Sequence, residues 1–335
     1  MSKFFIPENY KPTLSVYETQ TAIGKLRRDF ENNLCNALDI TRVSAPLFVE
    51  STMGLNDDLN GIERPVEFDI LETGTNAQIV HSLAKWKRYA LYAYGFPVGK
   101  GLYTDMNAIR RDEEMDNLHS IYVDQWDWEK VISADMRTEE YLKDTVTKIV
   151  NAICDSSDVI KAEYPEIGVE LSRDVKFITS QELEDMYPDL TAKERENAIV
   201  KEYKTVFLMQ IGDVLKSGKK HDGRAPDYDD WKLNGDILFW NDVLKCAFEI
   251  SSMGIRVDKK ALEEQLKKAN AEERKKLPFH RMLLEDKLPL SMGGGIGQSR
   301  LCMLLLGKAH IGEVQVSVWD DKTVYTGKEN GITIL

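Results

Sequence analysis

Apolar residues recur at helical spacing in two long segments of this chain, one near its start and one over residues 138–161. Each turn of an α-helix brings positions three and four apart onto one face, so this spacing predicts two amphipathic helices. Ser15 and Glu18 form a capping box in front of the first helix, which we expect to end near Asp39. Its apolar face consists of Ile23, Leu26, Phe30, Leu34 and Leu38.

Strand-like segments occur in pairs. The runs 102–110 and 119–128 flank a charged turn over residues 111–116, which predicts a long antiparallel hairpin. Residues 237–240 and 244–251 form a second pair of apolar segments with strand character. Hairpins of this kind build antiparallel sheets, because adjacent strands joined by a short turn run in opposite directions.

The order of the elements predicts the fold class. A strand over residues 43–49 contains Pro46, which donates no ladder hydrogen bond and confines that strand to an edge or an interface. A polar loop is predicted over residues 51–61. Helices alternate with strands but hairpins dominate, so we predict an α+β fold with a central, mainly antiparallel β-sheet flanked by helices. No linker interrupts the pattern, and residues 1–335 are predicted to form a single domain.

Composition narrows the class of protein. The chain has 335 residues and a formal net charge of −12 at pH 7, which argues against a nucleic-acid partner because phosphate binding needs clustered lysine and arginine. The four cysteines lie in apolar surroundings without metal-site spacing, as in proteins of a reducing compartment. Residues 1–12 lack the apolar core of a secretory signal, and no run reaches the length of a membrane span. These features predict a cytoplasmic protein that does not bind membranes.

The clearest chemical signal is the run Gly293-Gly294-Gly295-Ile296-Gly297-Gln298-Ser299-Arg300. Glycines let a backbone approach a ligand closely, and a helix that begins after them turns its positive end toward that ligand. Arg300 adds a planar charged fork that suits phosphate. The spacing matches neither the dinucleotide fingerprint nor the P-loop. The run therefore predicts a nucleotide-phosphate site of another kind, and the alternative is a glycine turn packed under a helix.

Acidic residues cluster between positions 227 and 236. Like charges this close together are costly unless a cation binds among them or water surrounds each one. The cluster is therefore interpreted either as part of a cation site or as a solvated turn. Its members are Asp227, Asp229, Asp230 and Asp236.

Glu249 is a sharper candidate. It lies on the polar face of a strand whose opposite face, which includes Phe248 and Ile250, is apolar. A carboxylate in that position needs a partner, which is either a metal ion or an arginine such as Arg256 nearby in the sequence. Mg²⁺ prefers one or two carboxylates together with phosphate oxygens and water. Glu249 therefore predicts contact with a metal or substrate, with a structural salt bridge as the alternative.

Other polar residues are ambiguous on local grounds. Arg110 ends a hairpin strand and by itself is typical of a surface arginine, and Lys87 lies on a predicted amphipathic helix. Strand alternation places Gln125 and Asp127 on one face of the second hairpin strand and Asp124 on the other. The five histidines show no metal-site spacing and are interpreted as surface or core residues.

Taken in order, three segments resemble the signature motifs of class II aminoacyl-tRNA synthetases. The first helix and Pro46 are similar to the dimer-interface motif, and the hairpin strand that ends at Arg110 is similar to the second motif. The run 293–300 is similar to the third motif, and residues 248–256 resemble the corresponding stretch of the aspartyl and asparaginyl enzymes.

The chain as a whole is more similar to the ammonia-dependent asparagine synthetases, or aspartate–ammonia ligases, which are relatives of those synthetases without the tRNA-binding parts. Four long runs carry this resemblance, and it covers nearly the whole chain. The runs are HSLAKWKR (81–88), YVDQWDW (122–128), RAPDYDDW (224–231) and GGGIGQSRL (293–301).

The resemblance implies a two-step reaction in a single catalytic domain, carried out by a homodimer with Mg²⁺. In the first step the β-carboxylate of L-aspartate attacks the α-phosphate of ATP, which gives a β-aspartyl adenylate and pyrophosphate. In the second step ammonia displaces AMP and L-asparagine forms. Activation is needed because a carboxylate is a poor acceptor for ammonia, whereas AMP is a good leaving group.

The resemblance also implies roles for individual residues. ATP binding falls to Arg110, Asp236, Glu249, Gly295 and Arg300, with Glu249 and Asp236 as the Mg²⁺ ligands. Aspartate and nearby substrate contacts fall to Lys87, Gln125, Asp127, Ser252 and Arg256. Catalysis falls to Arg110, Asp57 and Asp229, where Asp57 and Asp229 are alternative bases for ammonium.

Two other classes of protein stay open from the sequence. An aspartyl- or asparaginyl-tRNA synthetase would need an anticodon-binding module and a basic surface. A catalytically inactive relative would have gaps among its phosphate-binding residues. The chain carries excess acid, and Arg110, Glu249 and Arg300 are all present, so we expect a ligase.

Overall fold

The computed structural model describes residues 4–57 and 63–335, so the end of the polar loop predicted over residues 51–61 lies outside the described residues. In the described part, no helix is long and apolar enough to cross a membrane. The helices are α1 (Val16–Leu38), α2 (Ala84–Ala93), α3 (Glu139–Glu163), α4 (Ser180–Met186), α5 (Ala192–Tyr203), α6 (Lys259–Lys268), α7 (Pro278–Leu284), α8 (Gln298–Leu305) and α9 (Asp321–Glu329). The strands are β1 (Ile40–Arg42), β2 (Phe48–Glu50), β3 (Glu67–Ile70), β4 (Thr75–Ile79), β5 (Gly101–Ile109), β6 (Tyr122–Val131), β7 (Lys176–Thr179), β8 (Thr205–Met209), β9 (Asp229–Asn241), β10 (Cys246–Arg256) and β11 (Ser291–Gly297).

Eight strands form one mixed sheet in the order β1-β5-β6-β11-β10-β9-β8-β7. Every neighbouring pair from β5 to β8 is antiparallel, while the two outer pairs, β1 with β5 and β7 with β8, are parallel. Strands β2, β4 and β3 form a separate small antiparallel sheet. The predicted α+β fold with a mainly antiparallel central sheet is confirmed.

Helices cover both faces of the central sheet. Helices α1, α3 and α8 pack against one face around Trp126 and Trp128, and helices α2, α6 and α7 pack against the other face around Met106. Gln125 lies opposite Met106 in the β5–β6 pair and therefore shares its face. Alternation then turns Asp127 toward the same side as Gln125, as the sequence predicted.

Helix α1 forms as its sequence predicts. The Ser15 hydroxyl accepts a hydrogen bond from the Glu18 amide at 3.3 Å, and the Glu18 carboxylate accepts one from the Ser15 amide at 2.9 Å. Asp39 ends the helix in the left-handed region, with φ of 56°. The five predicted apolar residues of the helix are all buried.

The strand predicted over residues 43–49 is largely wrong. Its last residues form β2, which lies at an edge of the small sheet, while the residues before Phe48 lie outside any strand. The Val43 amide donates to the Tyr103 carbonyl at 2.9 Å, so pairing beyond β1 stops before Pro46. Proline has no amide hydrogen, which is why the ladder does not continue through it.

The glycine run is a strand, so the alternative of a glycine turn packed under a helix is wrong. Residues Ser291–Gly297 form β11, which pairs with β6 on one side and with β10 on the other. Glycine has low strand propensity, so the pattern gave no strand signal. Helix α8 begins directly after β11, and both elements are buried at the centre of the protein.

Candidate active site

A cavity of about 460 Å³ opens along the middle of the central sheet. The four adjacent strands β5, β6, β11 and β10, or the residues directly after them, supply much of its wall. Segments that are far apart in the sequence meet here because these strands are neighbours in the sheet. Six residues that the sequence analysis assigned to a site line the cavity: Arg110, Gln125, Glu249, Ser252, Gly295 and Arg300.

Two of the predicted arginines lie in the cavity wall, and their ion pairs with carboxylates are long. Arg110 Nη1 lies 3.9 Å from Glu113 Oε2, and its buried Nε has no hydrogen-bond partner in the described part of the chain. Arg300 Nη1 lies 4.0 Å from Glu249 Oε2 and donates to the Glu249 carbonyl at 3.1 Å. Long, partly exposed ion pairs of this kind contribute little to stability, so these two carboxylate partners can be exchanged at low cost.

His119 is a cavity residue that the sequence analysis did not single out. Arg300 Nη2 lies 2.7 Å from His119 Nε2, and His119 Nδ1 lies 2.9 Å from Asp116 Oδ1. Since a guanidinium can only donate, the Nε2 atom accepts and the ring donates from Nδ1 to Asp116. The signal that could have located His119 is its position between Arg110 and Gln125, on the approach to the second hairpin strand.

Arg224 is a third arginine in the wall, and the sequence analysis gave it no role. It contacts the carboxylate of Asp236, and its Nη1 lies 3.4 Å from Asp222 Oδ2. Its signal was present, because Arg224 begins the RAPDYDDW run that carries part of the family resemblance. Each of these three cavity arginines therefore has a carboxylate nearby. The positive charge of the cavity wall is largely balanced as a result.

The two carboxylates proposed for a metal ion, Asp236 and Glu249, lie close enough for the charge of Glu249 to affect Asp236. The pKa of Asp236 is raised to about 7, mainly by burial and also by the charge of Glu249, while Arg224 opposes both effects. The buried Oδ1 atom of Asp236 has no hydrogen-bond partner among the described residues. Those residues contain no group of three or more potential metal ligands. Mg²⁺ bound with phosphate needs only one or two protein carboxylates, so this pair fits such an ion.

The acidic cluster is not a solvated turn. Asp229, Asp230 and Asp236 belong to strand β9, Asp227 directly precedes it, and all four are buried. Cationic side chains of the protein, most of them from distant parts of the chain, neutralise them, as a buried charge requires. Asp227 contacts Lys85, Arg274 and His280; Asp229 contacts Arg256; Asp230 contacts Arg137; and Asp236 contacts Arg224.

Arg256 does not pair with Glu249, so that alternative from the sequence is wrong. It is buried and donates to both Glu129 oxygens from Nε at 3.0 Å, and from Nη2 to Oε2 at 2.6 Å. It also contacts the Asp229 carboxylate, and Ser291 donates to Glu129 at 2.8 Å. The alternation that placed polar residues at 125 and 127 continues to 129, and that signal could have identified Glu129.

The residues predicted for aspartate lie on the face of β6 that α2 covers. Lys87 Nζ donates to Asp127 Oδ1 at 3.0 Å and to the Gly294 carbonyl at 2.9 Å. Burial lowers the pKa of Lys87, and the charge of Asp127 opposes this shift. Gln125 lines the cavity itself. A Cβ atom on Gly295 would lie 2.7 Å from Asp127 Oδ1 and closer still to Gln125 Oε1, so this glycine makes room for both side chains.

Six predicted residues lie behind the cavity wall: Asp57, Lys87, Asp127, Asp229, Asp236 and Arg256. Asp57 is buried, and its carbonyl accepts a hydrogen bond from His81 Nδ1 at 3.1 Å. The pKa of Tyr228, a wall residue, is raised mainly by burial and further by the charge of Asp57. Asp57 therefore lies close to the border of the cavity.

One amide in the first turn of α8, that of Ser299, has a protein acceptor and is not free for a ligand. The Ser299 amide donates to Asp124 Oδ1 at 3.0 Å, and the Ser299 hydroxyl donates to Asp124 Oδ2 at 2.8 Å. A carboxylate of the protein thus occupies the positive end of this helix.

Solved structures with a similar fold define the class. An asparaginyl-tRNA synthetase of Entamoeba histolytica, in complex with asparaginyl-adenylate, aligns with a TM-score of 0.64 at 14% identity, covering 90% of this chain and 66% of that one. A Pyrococcus horikoshii asparaginyl-tRNA synthetase, also with asparaginyl-adenylate, gives 0.63 at 17% identity, covering 94% and 74%. At these identities the likeness shows the fold alone, which is that of the class II aminoacyl-tRNA synthetases.

Sequence comparison identifies the family within that class. The family model for aspartate–ammonia ligases matches residues 17–331. An aspartate–ammonia ligase of Clostridium tetani is 62% identical over 334 residues, which is 99% of this chain and 98% of that protein. One from Bacillus cytotoxicus is 59% identical over 323 residues, covering 96% of this chain and 99% of that protein. The chain therefore belongs to the aspartate–ammonia ligase family of enzymes.

Replacing Gly295 by alanine tests the packing of Gln125 and Asp127. The new methyl group displaces both side chains, and we expect the KM for aspartate to rise on the order of 10-fold or more, since overpacking costs about 1–3 kcal/mol. Steady-state kinetics with varied aspartate measures this. Gly168→Ala is the matched control, because no described atom lies within 4 Å of a Cβ added at Gly168. An unchanged KM for aspartate in Gly295→Ala would contradict the assignment of Gln125 and Asp127 to aspartate binding.

Proposed function

We propose that this enzyme forms L-asparagine from L-aspartate and ammonia while ATP is cleaved to AMP and pyrophosphate, through a β-aspartyl adenylate. The observation that carries the proposal is that Arg110, Arg300 and Glu249 share one cavity with Gln125. This arrangement combines cations for phosphate, a carboxylate for a divalent ion and a polar side chain for an amino acid. The synthetase structures with asparaginyl-adenylate support an adenylate as the activated species.

In the first step the β-carboxylate oxygen of aspartate attacks the α-phosphorus of ATP, and pyrophosphate leaves. Negative charge builds on the oxygens of that phosphorus, and preorganised cations lower the energy of this state. Arg110 is our candidate for the α-phosphate, and Arg300 for the far end of ATP, with Gly295 beside the nucleotide. Their loose pairing with Glu113 and Glu249 leaves both guanidinium groups available for phosphate.

Mg²⁺ fits the carboxylate pair of Glu249 and Asp236. Glu249 is half-exposed in the cavity wall, and its charge acts on the buried Asp236. One oxygen of Asp236 lacks a hydrogen-bond partner in the described part. When bound, Mg²⁺ neutralises phosphate charge and orients the phosphate chain. Because each cavity arginine already has a carboxylate nearby, ATP together with a divalent cation suits this wall better than a bare polyanion.

Aspartate has a complementary set of charges beside the nucleotide. Lys87 is the candidate for a carboxylate of the substrate, while Gln125 and Asp127 would receive its ammonium group. Asp127 has a buried Oδ2 atom with no hydrogen-bond partner among the described residues, which suits an ammonium donor. Ser252 and Arg256 are the candidates for further substrate contacts; Ser252 lies in the wall, directly opposite Gly295 in the sheet.

In the second step the nitrogen of ammonia attacks the activated carbonyl carbon, and AMP leaves. Ammonium predominates at neutral pH, so a carboxylate has to take a proton before the attack. Asp57 and Asp229 remain the two candidates. Burial raises the pKa of Asp229, which favours a base, although Arg256 opposes the shift and occupies its carboxylate. The charge of Asp57 acts on Tyr228, a residue of the wall, and raises the pKa of that tyrosine.

The proposal also covers the domain organisation, the oligomeric state and the cellular location of the protein. We propose that residues 1–335 act as one catalytic domain, since the central sheet takes strands from Ile40 through to Gly297. A homodimer follows from the resemblance of α1 and Pro46 to the dimer-interface motif. A cytoplasmic location agrees with the four free cysteines, and the acidic net charge argues against a nucleic-acid partner.

The proposal is tested by product identity. The purified protein is mixed with ATP, Mg²⁺, L-aspartate and an ammonium salt, and the products are separated by chromatography. We expect AMP, pyrophosphate and L-asparagine in equal amounts, and no turnover without Mg²⁺. Formation of ADP instead of AMP would contradict activation through an adenylate.

Replacing Arg110 by alanine tests the first step. Loss of one preorganised donor to the developing charge lowers kcat on the order of 10²–10³-fold. Pyrophosphate release in the presence of ATP and aspartate measures this loss. The matched control is Arg111→Ala, since Arg111 is the exposed neighbour and lies outside the cavity wall. Release at the wild-type rate in Arg110→Ala would remove Arg110 from the mechanism.

Replacing Asp57 by asparagine tests the second step. An amide cannot take the ammonium proton, so asparagine formation falls while adenylate formation is largely spared. Single-turnover assays that follow pyrophosphate and asparagine separately distinguish the two steps. Asp229→Asn is assayed in parallel as the alternative base. If both products fall equally in Asp57→Asn, then Asp57 is not the base, and a selective loss of asparagine in Asp229→Asn would assign the role there.

A further inference from the structure

Asp124 lines the cavity but has no part in the proposed reaction. Its side chain is 5% exposed, and protein donors occupy both carboxylate oxygens. Oδ1 accepts from the Ser299 amide at 3.0 Å and from Gln315 Nε2 at 3.2 Å. Oδ2 accepts from the Ser299 hydroxyl at 2.8 Å and from Arg27 Nη2 at 2.7 Å. With its acceptor sites used in this way, the carboxylate is not available to a substrate.

Helix α8 depends on a cap from outside its own segment. Its N-cap residue is Gly297, which has no side chain, and no side chain of the local sequence caps the helix. Asp124 supplies the missing acceptor from β6, where its negative charge also meets the positive end of the helix. Ser299 and Arg300 are the second and third residues of that helix, so the cap fixes the turn that carries Arg300.

The cap is itself held by two distant segments. Gln315 donates to the Ser299 hydroxyl at 3.0 Å, and Ser120 donates to the Gln315 side chain at 2.5 Å. Arg27 comes from α1, which is far from α8 in the sequence. Asp124 therefore joins β6, α1 and the first turn of α8 at one point.

We propose that Asp124 is a positioning residue that directs Arg300 into the cavity, and that it affects nucleotide binding only through Arg300. This inference rests on the proposed function, because it takes Arg300 to contact ATP. It assigns no contact with ATP to Asp124 itself. Loss of the cap would let the first turn of α8 unwind. The Arg300 side chain would then sample several orientations instead of one directed into the cavity.

The test is a double-mutant cycle with Asp124→Ala and Arg300→Ala. Calorimetry measures ATP affinity without aspartate, and steady-state kinetics measures the KM for aspartate. We expect Asp124→Ala to weaken ATP binding on the order of 10- to 100-fold, the range for losing a hydrogen bond to a charged group. The KM for aspartate stays near its wild-type value. The double variant binds ATP no more weakly than Arg300→Ala alone, because the two residues act as one unit.

The control variant is Glu184→Ala. Glu184 is another carboxylate with little exposure; it pairs with Arg195 at 3.1 Å, accepts from the Ser217 hydroxyl at 2.7 Å and lies outside the cavity wall. We expect this variant to lose stability while its ATP affinity stays at the wild-type value. An equal loss of ATP affinity in Glu184→Ala would show a general effect of removing a buried carboxylate, and would overturn the proposal.

Two further outcomes decide the inference. If the losses of ATP affinity in the two single variants multiply in the double variant, Asp124 does not act through Arg300. The same conclusion follows if the KM for aspartate rises by the same factor by which ATP affinity falls. If Asp124→Ala does not fold, the cycle is run with Asp124→Asn, which keeps an acceptor for the Ser299 amide; we expect a smaller loss that again vanishes in the Arg300→Ala background. Wild-type protein that binds no ATP would overturn the proposed function together with this inference, whereas normal ATP binding with multiplying losses overturns the inference alone.

Discussion

The site depends on an ion pair that crosses a strand. Arg256 on β10 reaches Glu129 on β6 over the intervening strand β11, with donor–acceptor distances of 2.6–3.0 Å. A Cβ atom at Gly293 of β11 would lie 2.6 Å from Arg256 Nη2 and closer still to the Glu129 carboxylate. Removing one partner of a buried pair costs roughly 3–5 kcal/mol, so the sequence of β11 is constrained by the charges of its two neighbours.

The same constraint explains the rest of the glycine run. Gly295 lies opposite Asp127 in the β6–β11 pair, and its missing side chain leaves space for Asp127 and Gln125. Because these glycines lack side chains, polar side chains of the two neighbouring strands can lie over β11. The glycines thus make room for side chains of the protein itself. A ligand in the cavity contacts side chains that this packing holds in place.

Sequence patterns predicted the parts of this structure that follow from local rules. Helix α1, the β5–β6 hairpin and the shared face of Gln125 and Asp127 follow from capping and periodicity. The ion pairs could not be predicted, because Arg256 and Glu129 are far apart in the sequence and no periodic signal connects them. For the same reason the sequence left the 227–236 cluster open between a cation site and a solvated turn, because most of the cations that neutralise it come from other segments. Family resemblance supplied the site residues that periodicity alone could not rank.

The charged residues divide into two groups by how tightly they are paired. Lys87, Asp127, Glu129 and Arg256 are buried with hydrogen bonds at about 3 Å or less, whereas Arg110 and Arg300 lie 3.9 and 4.0 Å from their nearest carboxylates. A buried pair is costly to break and so fixes the geometry of the sheet, while a loose pair at a cavity wall exchanges partners easily. Binding a phosphate chain therefore requires the protein to give up only the weak pairs. The strong pairs stay intact and hold the surrounding strands and side chains in fixed positions.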